Sequence, residues 1–316
     1  MPPHAGHLSL VEFASGLVEE LTVVVGSLEG EPIPGELRHR WMSQLCSRHR
    51  VVHLTDPNPS YPDEHPDFWE IWRDSLLRVS GRPIDLLFAS EEYGRQLAQA
   101  LGARFVPNNA GRELLQVSGT QIRANPTACW RFLPPPVRGY YAKRVLLFGP
   151  ESTGKTTLGE ALANHFQGQF VPEYARTYLL GHEEDFTLED LDLVASGQVA
   201  SEDAIACHGG RPLLFCDTDA TITELWSMEL FGEVREPVRK LSEQSRHDLI
   251  LLLDVDIPWV ADPMRYRPER RQEFMAACVE ALERYGRDYV LIQGEGEVRL
   301  QRAIAAVGDF LNPKRP

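Results

Sequence analysis

Lysine is scarce in this chain of 316 residues, which contains only four, and arginine supplies most of the basic residues. The net charge at pH 7 is −14. Because an acidic surface repels phosphate backbones and anionic lipids, we expect neither a nucleic acid nor a membrane as the main partner. The expected partners are small molecules, and a homo-oligomer is compatible with the composition.

Paired cysteines and long apolar runs are also missing. The five cysteines are scattered without a CxxC pair, so the sequence indicates neither a disulfide framework nor a zinc site. No apolar run approaches the roughly 20 residues that a membrane-spanning helix needs. The segment MPPHAGHLSL lacks the basic and apolar regions of a secretory signal. We therefore expect a cytoplasmic protein.

Short β-rich apolar runs alternate with helical patterns along the whole chain. The predicted strands lie at 21–27, 51–55, 84–90, 103–107, 144–149, 169–174, 212–219, 248–254 and 288–294. This alternation predicts an α/β protein with parallel sheets flanked by helices. Three consecutive prolines in segment 132–143 interrupt the pattern, which places a boundary between domains at 1–135 and 143–316.

The most specific motif is GPESTGKTT at residues 149–157, which follows an apolar run and precedes a helical pattern. A strand, a glycine loop and a helix in this order are typical of a phosphate-binding P-loop, and a surface turn that matches by chance is the alternative. Lys155 is predicted to reach the β- and γ-phosphates of ATP, and the Thr156 hydroxyl to hold Mg²⁺. The residues predicted to bind the nucleotide are Gly149, Ser152, Gly154, Lys155, Thr156 and Thr157.

Charged residues follow two further predicted strands. Because ligands of open α/β sheets gather at the carboxyl ends of strands, Asp217 is expected to steady Mg²⁺ and Asp219 to contact the substrate. Glu173 is suited to accept or orient the proton of a substrate hydroxyl, and Arg176 to neutralise the transferred phosphoryl group. A solvated strand end for the aspartates and a surface ion pair for Glu173 and Arg176 are the alternatives.

The segment 258–274 is rich in arginine and proline, which is typical of a lid that closes over a triphosphate. Arg265 and Arg270 are its predicted phosphate contacts, since a guanidinium can bind the transferred group at two points. Trp259 stands near Asp254, Asp256 and Asp262, a combination that suits a cationic ring and a ribose diol. A tryptophan buried at a strand end is an equally good interpretation.

Two motifs in the first half suggest a second nucleotide site. His4 and His7 form HAGH, and VSGTQIR at 117–123 places a Ser-Gly-Thr turn at the start of a helix. Imidazoles stabilise charge on an α-phosphate under attack, and a helix N-terminus with Ser118, Thr120 and Arg123 can hold the outer phosphates. Taken alone, the two histidines are also compatible with a metal pair or with no function.

These motifs together resemble the NadR-type family, in which a nicotinamide-nucleotide adenylyltransferase is joined to a ribosylnicotinamide kinase. HAGH and VSGTQIRANP resemble the HxGH and SGTxIR motifs of its first domain. GPESTGKTT, PEYAR, DTD and PWVAD-x-x-R resemble its kinase half in order and spacing. The resemblance covers nearly the whole chain and implies a Rossmann-like nucleotidyltransferase domain followed by a P-loop kinase domain.

The resemblance implies ATP-dependent phosphorylation of ribosylnicotinamide by the second domain and adenylylation of nicotinamide mononucleotide, giving NAD, by the first. It also implies that Trp259 stacks on the nicotinamide ring. Trp69 and Trp72 are candidate nicotinamide contacts in the first domain, with core packing as the alternative. A kinase for another nucleoside and a nucleotide sensor without turnover are the other functions considered.

This chain departs from the family pattern before HAGH. Family members carry a strand and a glycine-containing turn ahead of that motif, whereas three residues precede His4 here. The first domain is therefore expected to lack its first strand. Either the true start lies upstream, which we favour because both motifs persist, or the adenylyltransferase half has decayed beside a working kinase.

Overall fold

The structure is a computed structural model that describes residues 1–90, 93–108, 116–180, 186–261 and 268–313. It divides into two compact units, Met1–Tyr140 and Tyr141–Pro316. This division lies in the proline-rich segment. The prolines were expected to exclude a helix in this segment, but a helix begins at Pro135. Proline is tolerated in the first turn, where its missing N–H would have no partner.

The first unit alternates helices and strands. Its elements are α1 Ala5–Ser15, β1 Thr22–Gly26, α2 Gly35–Leu45, β2 Arg50–Leu54, α3 Phe68–Ser80, β3 Leu86–Ala89, α4 Tyr93–Leu101, β4 Arg104–Pro107 and α5 Gly119–Ala124, with α6 Pro135–Tyr141 at the boundary. Each strand predicted from the first half corresponds to one of these strands.

The strands of the first unit form two separate parallel pairs. β1 pairs with β2 in a register from Thr22 opposite Arg50 to Gly26 opposite Leu54. β3 pairs with β4 from Leu86 opposite Arg104. Within the described residues, no strand connects the two pairs. The continuous parallel sheet expected from the alternating pattern is therefore absent from the part of this unit that the structure describes.

The second unit forms one five-stranded parallel sheet in the order β6-β7-β5-β8-β9. Its elements are β5 Lys143–Phe148, α7 Lys155–His165, β6 Gln169–Val171, α8 Tyr174–Leu179, α9 Asp190–His208, β7 Leu213–Asp217, α10 Ala220–Phe231, α11 Glu236–Gln244, β8 Leu249–Leu253, α12 Arg271–Arg284, β9 Val290–Ile292 and α13 Gly296–Leu311. All five strands were predicted from the sequence.

The position of β5 determines where a ligand binds in this unit. β5 lies between β7 and β8, so the strand order reverses on either side of it. The loop after such a strand is where open α/β sheets bind ligands. The inner strands are buried over most of their length, with Val145, Leu147, Phe215 and Leu251 at 0% exposure. A rigid core therefore supports the loop at the carboxyl end of β5.

None of the helices among the described residues is long and apolar enough to cross a membrane.

Candidate active site

The loop between β5 and α7 requires glycine at two positions. Gly149 has φ +134°, and a Cβ there would lie 2.8 Å from the carbonyl oxygen of Leu253. Gly154 has φ +84° and is the residue at which α7 begins. These left-handed conformations let the backbone curl tightly before the helix. The loop therefore directs backbone N–H groups and the N-terminus of α7 toward one point, as an anion site needs.

Lys155 lies on the inner side of this loop. Its Nζ donates hydrogen bonds to the carbonyl oxygens of Gly149 at 3.0 Å and Pro150 at 2.8 Å. Two arginines brace the loop from outside, since Arg271 donates to the carbonyl of Ser152 at 3.0 Å and Arg299 to that of Thr153 at 2.6 Å. The ammonium group is thus held by weak acceptors that a phosphate can replace.

Thr156, in the first turn of α7, contacts Asp217, the last residue of β7. The Thr156 hydroxyl donates to Oδ2 of Asp217 at 2.5 Å. The other carboxylate oxygen, Oδ1, is buried and has no hydrogen-bond partner among the described residues. Desolvation raises the pKa of Asp217, although Lys155 and Thr156 oppose this effect. A buried carboxylate oxygen beside a hydroxyl fits a hard cation such as Mg²⁺, which prefers oxygen ligands.

Glu173 and Arg176 lie at the start of α8 and face the same cavity. The Nε of Arg176 is 3.4 Å from Oε2 of Glu173. Burial raises the pKa of Glu173, and the nearby Asp217 carboxylate raises it further, while Lys155 lowers it. A carboxylate with a raised pKa is a better proton acceptor than one in water, which suits a general base.

The cavity above the loop has a volume of about 130 Å³ and two chemically different sides. One side consists of the loop residues together with Glu173, Arg176 and Asp217. The other side is mainly apolar, and sequence reasoning did not identify it. Its residues include Leu179, Phe186, Leu191, Val194, Ile222, Trp226 and Leu230. Such a cavity can hold a phosphate donor on one side and an acceptor with an aromatic ring on the other.

Gln198 joins the two sides and was also missed. It is only 2% exposed and lines the cavity from α9. Its Oε1 accepts the backbone N–H of Tyr174 at 2.9 Å, and its Nε2 donates to the carbonyl of Thr218 at 3.3 Å. Thr218 itself has φ +71°. Gln198 therefore fixes the start of α8, and with it Glu173, relative to the end of β7.

Trp259 lines a second cavity of about 150 Å³, not the first. The guanidinium of Arg271 lies 5.7 Å from the centre of its ring. Of the carboxylates predicted to surround it, Asp254 accepts from Gln293 and Asp256 from Arg299, and Asp262 lies outside the described residues. The two described carboxylates are therefore already engaged in hydrogen bonds, and their role beside the Trp259 ring stays a prediction.

Arg270 lines the second cavity and not the P-loop cavity. Its guanidinium pairs with Glu229 and Glu273. The phosphate contact of Arg270 stays a prediction, and it would require the guanidinium to leave these two carboxylates. Arg265, the other predicted contact in this segment, lies outside the described residues.

Asp219 lines neither of these two cavities, and its contact with the substrate stays a prediction. It is 2% exposed and caps α10, where its Oδ1 accepts the N–H of Thr221 at 3.0 Å. Its Oδ2 accepts from Ser245 at 2.7 Å and from Arg287 at 3.2 Å. Asp219 thus stabilises the helix start and a buried ion pair.

In the first unit, His4 caps α1. Its Nδ1 accepts the backbone N–H of Gly6 at 3.1 Å, which leaves Nε2 as the protonated nitrogen. The His7 ring lies 3.9 Å from it, centre to centre. Burial lowers the pKa of His4 to about 4 and that of His7 to about 3. Both rings are therefore neutral at pH 7 and can donate hydrogen bonds without carrying charge.

The second predicted motif of this unit begins α5. Ser118 accepts the N–H of Gln121 at 3.2 Å, and the Gln121 side chain accepts the N–H of Ser118, which completes a capping box. Arg123 donates to the hydroxyl of Thr120 at 3.4 Å and contacts the sulfur of Met1. Met1 therefore joins HAGH to the helix that carries Ser118, Thr120 and Arg123.

Trp72 lines a cavity of about 1350 Å³ in the first unit, beside β1. Its Nε1 donates to the carbonyl of Pro59 at 2.9 Å, and its ring lies close to Gly26. Trp69 lines the same cavity. These contacts favour neither a nicotinamide contact nor core packing as the role of Trp69 and Trp72.

Comparison with known proteins extends these observations to the whole chain. A family described as "AAA domain" matches residues 144–299, from β5 to the first turn of α13. The "Trifunctional NAD biosynthesis/regulator protein NadR" of Escherichia coli (strain K12) is 28% identical over 339 residues, covering 99% of this chain and 82% of that protein. The chain resembles NadR along its whole length. The resemblance inferred from the motifs is thus confirmed.

Two solved structures of NadR share the fold. The first, "Crystal structure of NadR protein in complex with NR", has a TM-score of 0.77 at 24% identity and covers 100% of this chain and 94% of its own. The second, a NadR protein "in complex with NAD and AMP-PNP", has a TM-score of 0.75 at 23% identity with the same coverage. The α/β fold with parallel sheets and flanking helices is therefore that of NadR.

Proposed function

We propose that the second unit is a kinase that transfers the γ-phosphoryl group of ATP to the 5′-hydroxyl of ribosylnicotinamide. The observation that carries this proposal is the two-sided cavity, in which Lys155, Glu173, Arg176 and Asp217 face an apolar wall that includes Trp226. The polar side matches the triphosphate, and the apolar side matches a nucleoside with an aromatic base.

Each polar residue has a role in this transfer. The 5′-oxygen of the substrate attacks the γ-phosphorus. The bond between the γ-phosphorus and the β–γ bridging oxygen then breaks, and ADP leaves. Glu173 accepts the hydroxyl proton, while Lys155 and Arg176 stabilise the charge on the transferred group. Thr156 and Asp217 would hold Mg²⁺, which supplies further neutralisation of the phosphate oxygens.

The names of the relatives support the choice of substrate. The Escherichia coli relative is named for NAD biosynthesis, and solved NadR structures contain NR in one case and NAD with AMP-PNP in the other. In this chain, Trp226 and Glu173 line the same cavity, and a pyridinium ring would be attracted by the aromatic face of the first and by the carboxylate of the second. A neutral base would lose this attraction.

Release of ADP, measured with a panel of acceptors, tests this function. We expect turnover with ribosylnicotinamide that far exceeds the rate with its neutral, reduced form, with deoxynucleosides or without acceptor. Faster turnover of another nucleoside would identify a different kinase. Binding of ATP without acceptor-dependent ADP release would instead indicate a nucleotide sensor.

For the first unit, the proposed activity is adenylylation of nicotinamide mononucleotide by ATP to give NAD and pyrophosphate. The supporting observation is that the rings of His4 and His7 lie 3.9 Å apart, centre to centre, while Met1 contacts Arg123 on the helix that Ser118 caps. The phosphate oxygen of the mononucleotide attacks the α-phosphorus, and pyrophosphate leaves. Formation of NAD from these two substrates, followed by chromatography, tests this second activity separately from the kinase.

A further inference from the structure

The turn that follows β7 holds a strained residue next to the candidate Mg²⁺ ligand. Thr218, which is 4% exposed, has φ +71°. A β-branched residue rarely adopts this left-handed conformation, which persists only where the surrounding contacts enforce it. Because Thr218 directly follows Asp217, its conformation determines where the Asp217 carboxylate lies. The contacts that hold this turn therefore bear on the reaction.

The side-chain amide of Gln198 holds the turn from α9. Its Nε2 donates to the carbonyl of Thr218 and to Oε1 of Glu202, both at 3.3 Å, and its Oε1 accepts the N–H of Tyr174 at 2.9 Å. A flipped amide would place its oxygen against two acceptors and its nitrogen against a donor. The Glu202 carboxylate, one helical turn further along α9 and 3% exposed, therefore helps to fix the orientation of Gln198.

Glu202 is held in turn by residues that lead back to the same turn. Its Oε2 accepts from Nε2 of His247, whose side chain is 3% exposed, at 3.1 Å. The Ser245 hydroxyl donates its single proton to Oδ2 of Asp219 at 2.7 Å, so it accepts from Nδ1 of His247 at 3.0 Å. Since Asp219 directly follows Thr218, these hydrogen bonds close a ring around the strained residue. We call its members the polar ring: Gln198, Glu202, His247, Ser245 and Asp219.

The surroundings of Glu202 are built for hydrogen bonds rather than for a metal ion. Ligand atoms of Glu202, Cys216 and His247 lie within 4.8 Å of one another. However, the guanidinium of Arg144 lies 3.4 Å from Oε2 of Glu202 and would repel a cation. Burial also raises the pKa of Cys216 well above its usual value, so it remains a thiol. Burial works against ionisation of Glu202 too, but His247, Gln198 and Arg144 lower its pKa on balance.

The polar ring contacts the backbone beside two candidate catalytic groups. Tyr174, which donates to Gln198, directly follows Glu173, and Thr218 directly follows Asp217. Glu173 and Asp217 both line the P-loop cavity, whereas Glu202 does not. An effect of Glu202 on the reaction must therefore pass through Gln198 and the backbone that it holds.

We propose that Glu202 is a positioning residue for phosphoryl transfer, which acts through Gln198 to hold Glu173 in place relative to Asp217. This proposal rests on the kinase function proposed above. A displacement of about 1 Å at the reacting groups costs about a hundredfold in rate, so a contact remote from the substrate is sufficient to control turnover.

Three substitutions of Glu202 test this role. Glu202→Leu keeps a similar volume but leaves a donor of Gln198 without a partner. Glu202→Asp keeps the charge but is one methylene too short to reach both Gln198 and His247. Glu202→Gln retains the ring, because its amide oxygen accepts from Gln198 and its nitrogen donates to Nε2 of His247 as the neutral tautomer. Asp203→Leu is the matched control, since Asp203 is exposed on the same helix and also pairs with Arg144.

The kcat is measured by ADP release with ribosylnicotinamide and divided by the number of sites that bind AMP-PNP, so that misfolded protein does not contribute. We expect Glu202→Leu to lower this kcat about tenfold or more, and Glu202→Asp to lower it several-fold. The KM values for both substrates should change less than about threefold. Glu202→Gln and Asp203→Leu should retain most of the rate. An unchanged kcat in Glu202→Leu, or an equal loss in Glu202→Gln, would overturn the positioning role.

A double-mutant cycle with Glu173→Gln separates positioning from a general loss of structure. If Glu202 acts through Glu173, Glu202→Leu should lower the remaining rate of Glu173→Gln by less than about threefold, because the group that it positions is already absent. Multiplication of the two separate losses would overturn the proposal. Glu202→Asp replaces Glu202→Leu in the cycle if the latter does not fold.

The unaltered protein distinguishes this proposal from the kinase function itself. Absence of ADP release that depends on an acceptor would overturn the kinase and the positioning role together. Normal turnover of the unaltered protein, combined with an unchanged kcat in Glu202→Leu, would overturn the positioning role alone.

Discussion

The residues around the P-loop differ in whether they bind the nucleotide or hold the loop. Lys155 donates to two loop carbonyls and packs into no apolar cluster, so its charge is available to a phosphate. Arg271 and Arg299 donate to loop carbonyls from outside and define the loop's shape. Substitution of Lys155 should therefore affect activity and stability differently from substitution of Arg271 or Arg299.

We predict that Lys155→Ala lowers the kinase rate by about a hundredfold to a thousandfold, because a preorganised cation at the transferred phosphate contributes several kcal/mol. The melting temperature should change little. ADP release and thermal unfolding measure the two effects, with Lys240→Ala on exposed α11 as the control. Retention of more than about a tenth of the rate would refute the P-loop assignment.

Glu173 gives a prediction of pH dependence. Burial raises its pKa, so its protonation should reduce the rate at a pH above the ordinary range of a glutamate. We predict that Glu173→Gln lowers the rate about a hundredfold or more and shifts the acidic limb of the pH profile. The pKa of Asp217 is also raised, so part of the limb should persist.

The profile is obtained from ADP release between about pH 4 and 8, with Glu236→Gln as a control at an exposed position. An acidic limb that is identical in Glu173→Gln and the unaltered protein would exclude Glu173 as the base.

Two tryptophans give a prediction about acceptor binding. Trp226 lines the P-loop cavity and the second cavity, whereas Trp259 lines only the second. We predict that Trp226→Ala raises the KM for ribosylnicotinamide about tenfold or more and leaves the KM for ATP nearly unchanged. Trp259→Ala should also weaken the binding of the acceptor more than the binding of ATP. This effect should be smaller than that of Trp226→Ala.

Steady-state kinetics with each substrate varied in turn distinguish these cases. The reduced, neutral form of the riboside serves as the control ligand, because it lacks the cation that an aromatic face attracts. If Trp226→Ala affected both KM values equally, the residue would be structural rather than part of the acceptor site.

At the scale of elements, the sequence predicted the features that neighbouring residues form. It did not predict the contacts that tertiary packing makes between distant segments. All nine described strands and the P-loop were predicted, since each rests on a short run of neighbouring residues. Trp226 and Gln198 were missed because they reach the cavity from α10 and α9, which the motifs do not include. The pairing of Arg270 with Glu229 was missed because the two residues lie 41 positions apart in the sequence.

The first helix also gives a prediction of stability. His4 and His7 have pKa values of about 4 and about 3 when folded, below the value of 6.5 expected for an unfolded chain. Between pH 6.5 and about 4, the unfolded state therefore binds more protons, so the stability of the first unit should fall as the pH falls. Each shifted pKa unit corresponds to about 1.4 kcal/mol, so the two histidines together should cost on the order of 6 kcal/mol by pH 4.

Denaturant unfolding, monitored by hydrogen exchange in α1, measures how the stability of the first unit depends on pH. We expect His7→Gln to flatten it, because glutamine does not titrate. His165→Gln in the second unit is the control and should leave it unchanged. A first unit whose stability is constant between pH 7 and 4.5 would contradict the predicted burial of these rings.

At the scale of the whole molecule, each unit has its own apolar cluster. The cluster of the second unit contains Val145, Leu147, Leu251 and Leu253 on the inner strands, and that of the first contains Val25, Met42 and Cys46. The second sheet is continuous, whereas the described residues of the first unit form two separate strand pairs. The two units should therefore respond independently to ligands, and the first should be the less stable.

We predict that AMP-PNP with Mg²⁺ raises the unfolding temperature of the second unit and leaves that of the first unchanged. A ligand at a hundred times its Kd stabilises the unit that binds it by about 2.7 kcal/mol, which shifts the unfolding of a domain of this size by several degrees. Calorimetry should show two transitions, of which only the upper one moves, and Lys155→Ala should abolish the shift. A single transition that moves as a whole on adding AMP-PNP would show that the two units unfold together and would refute their independence.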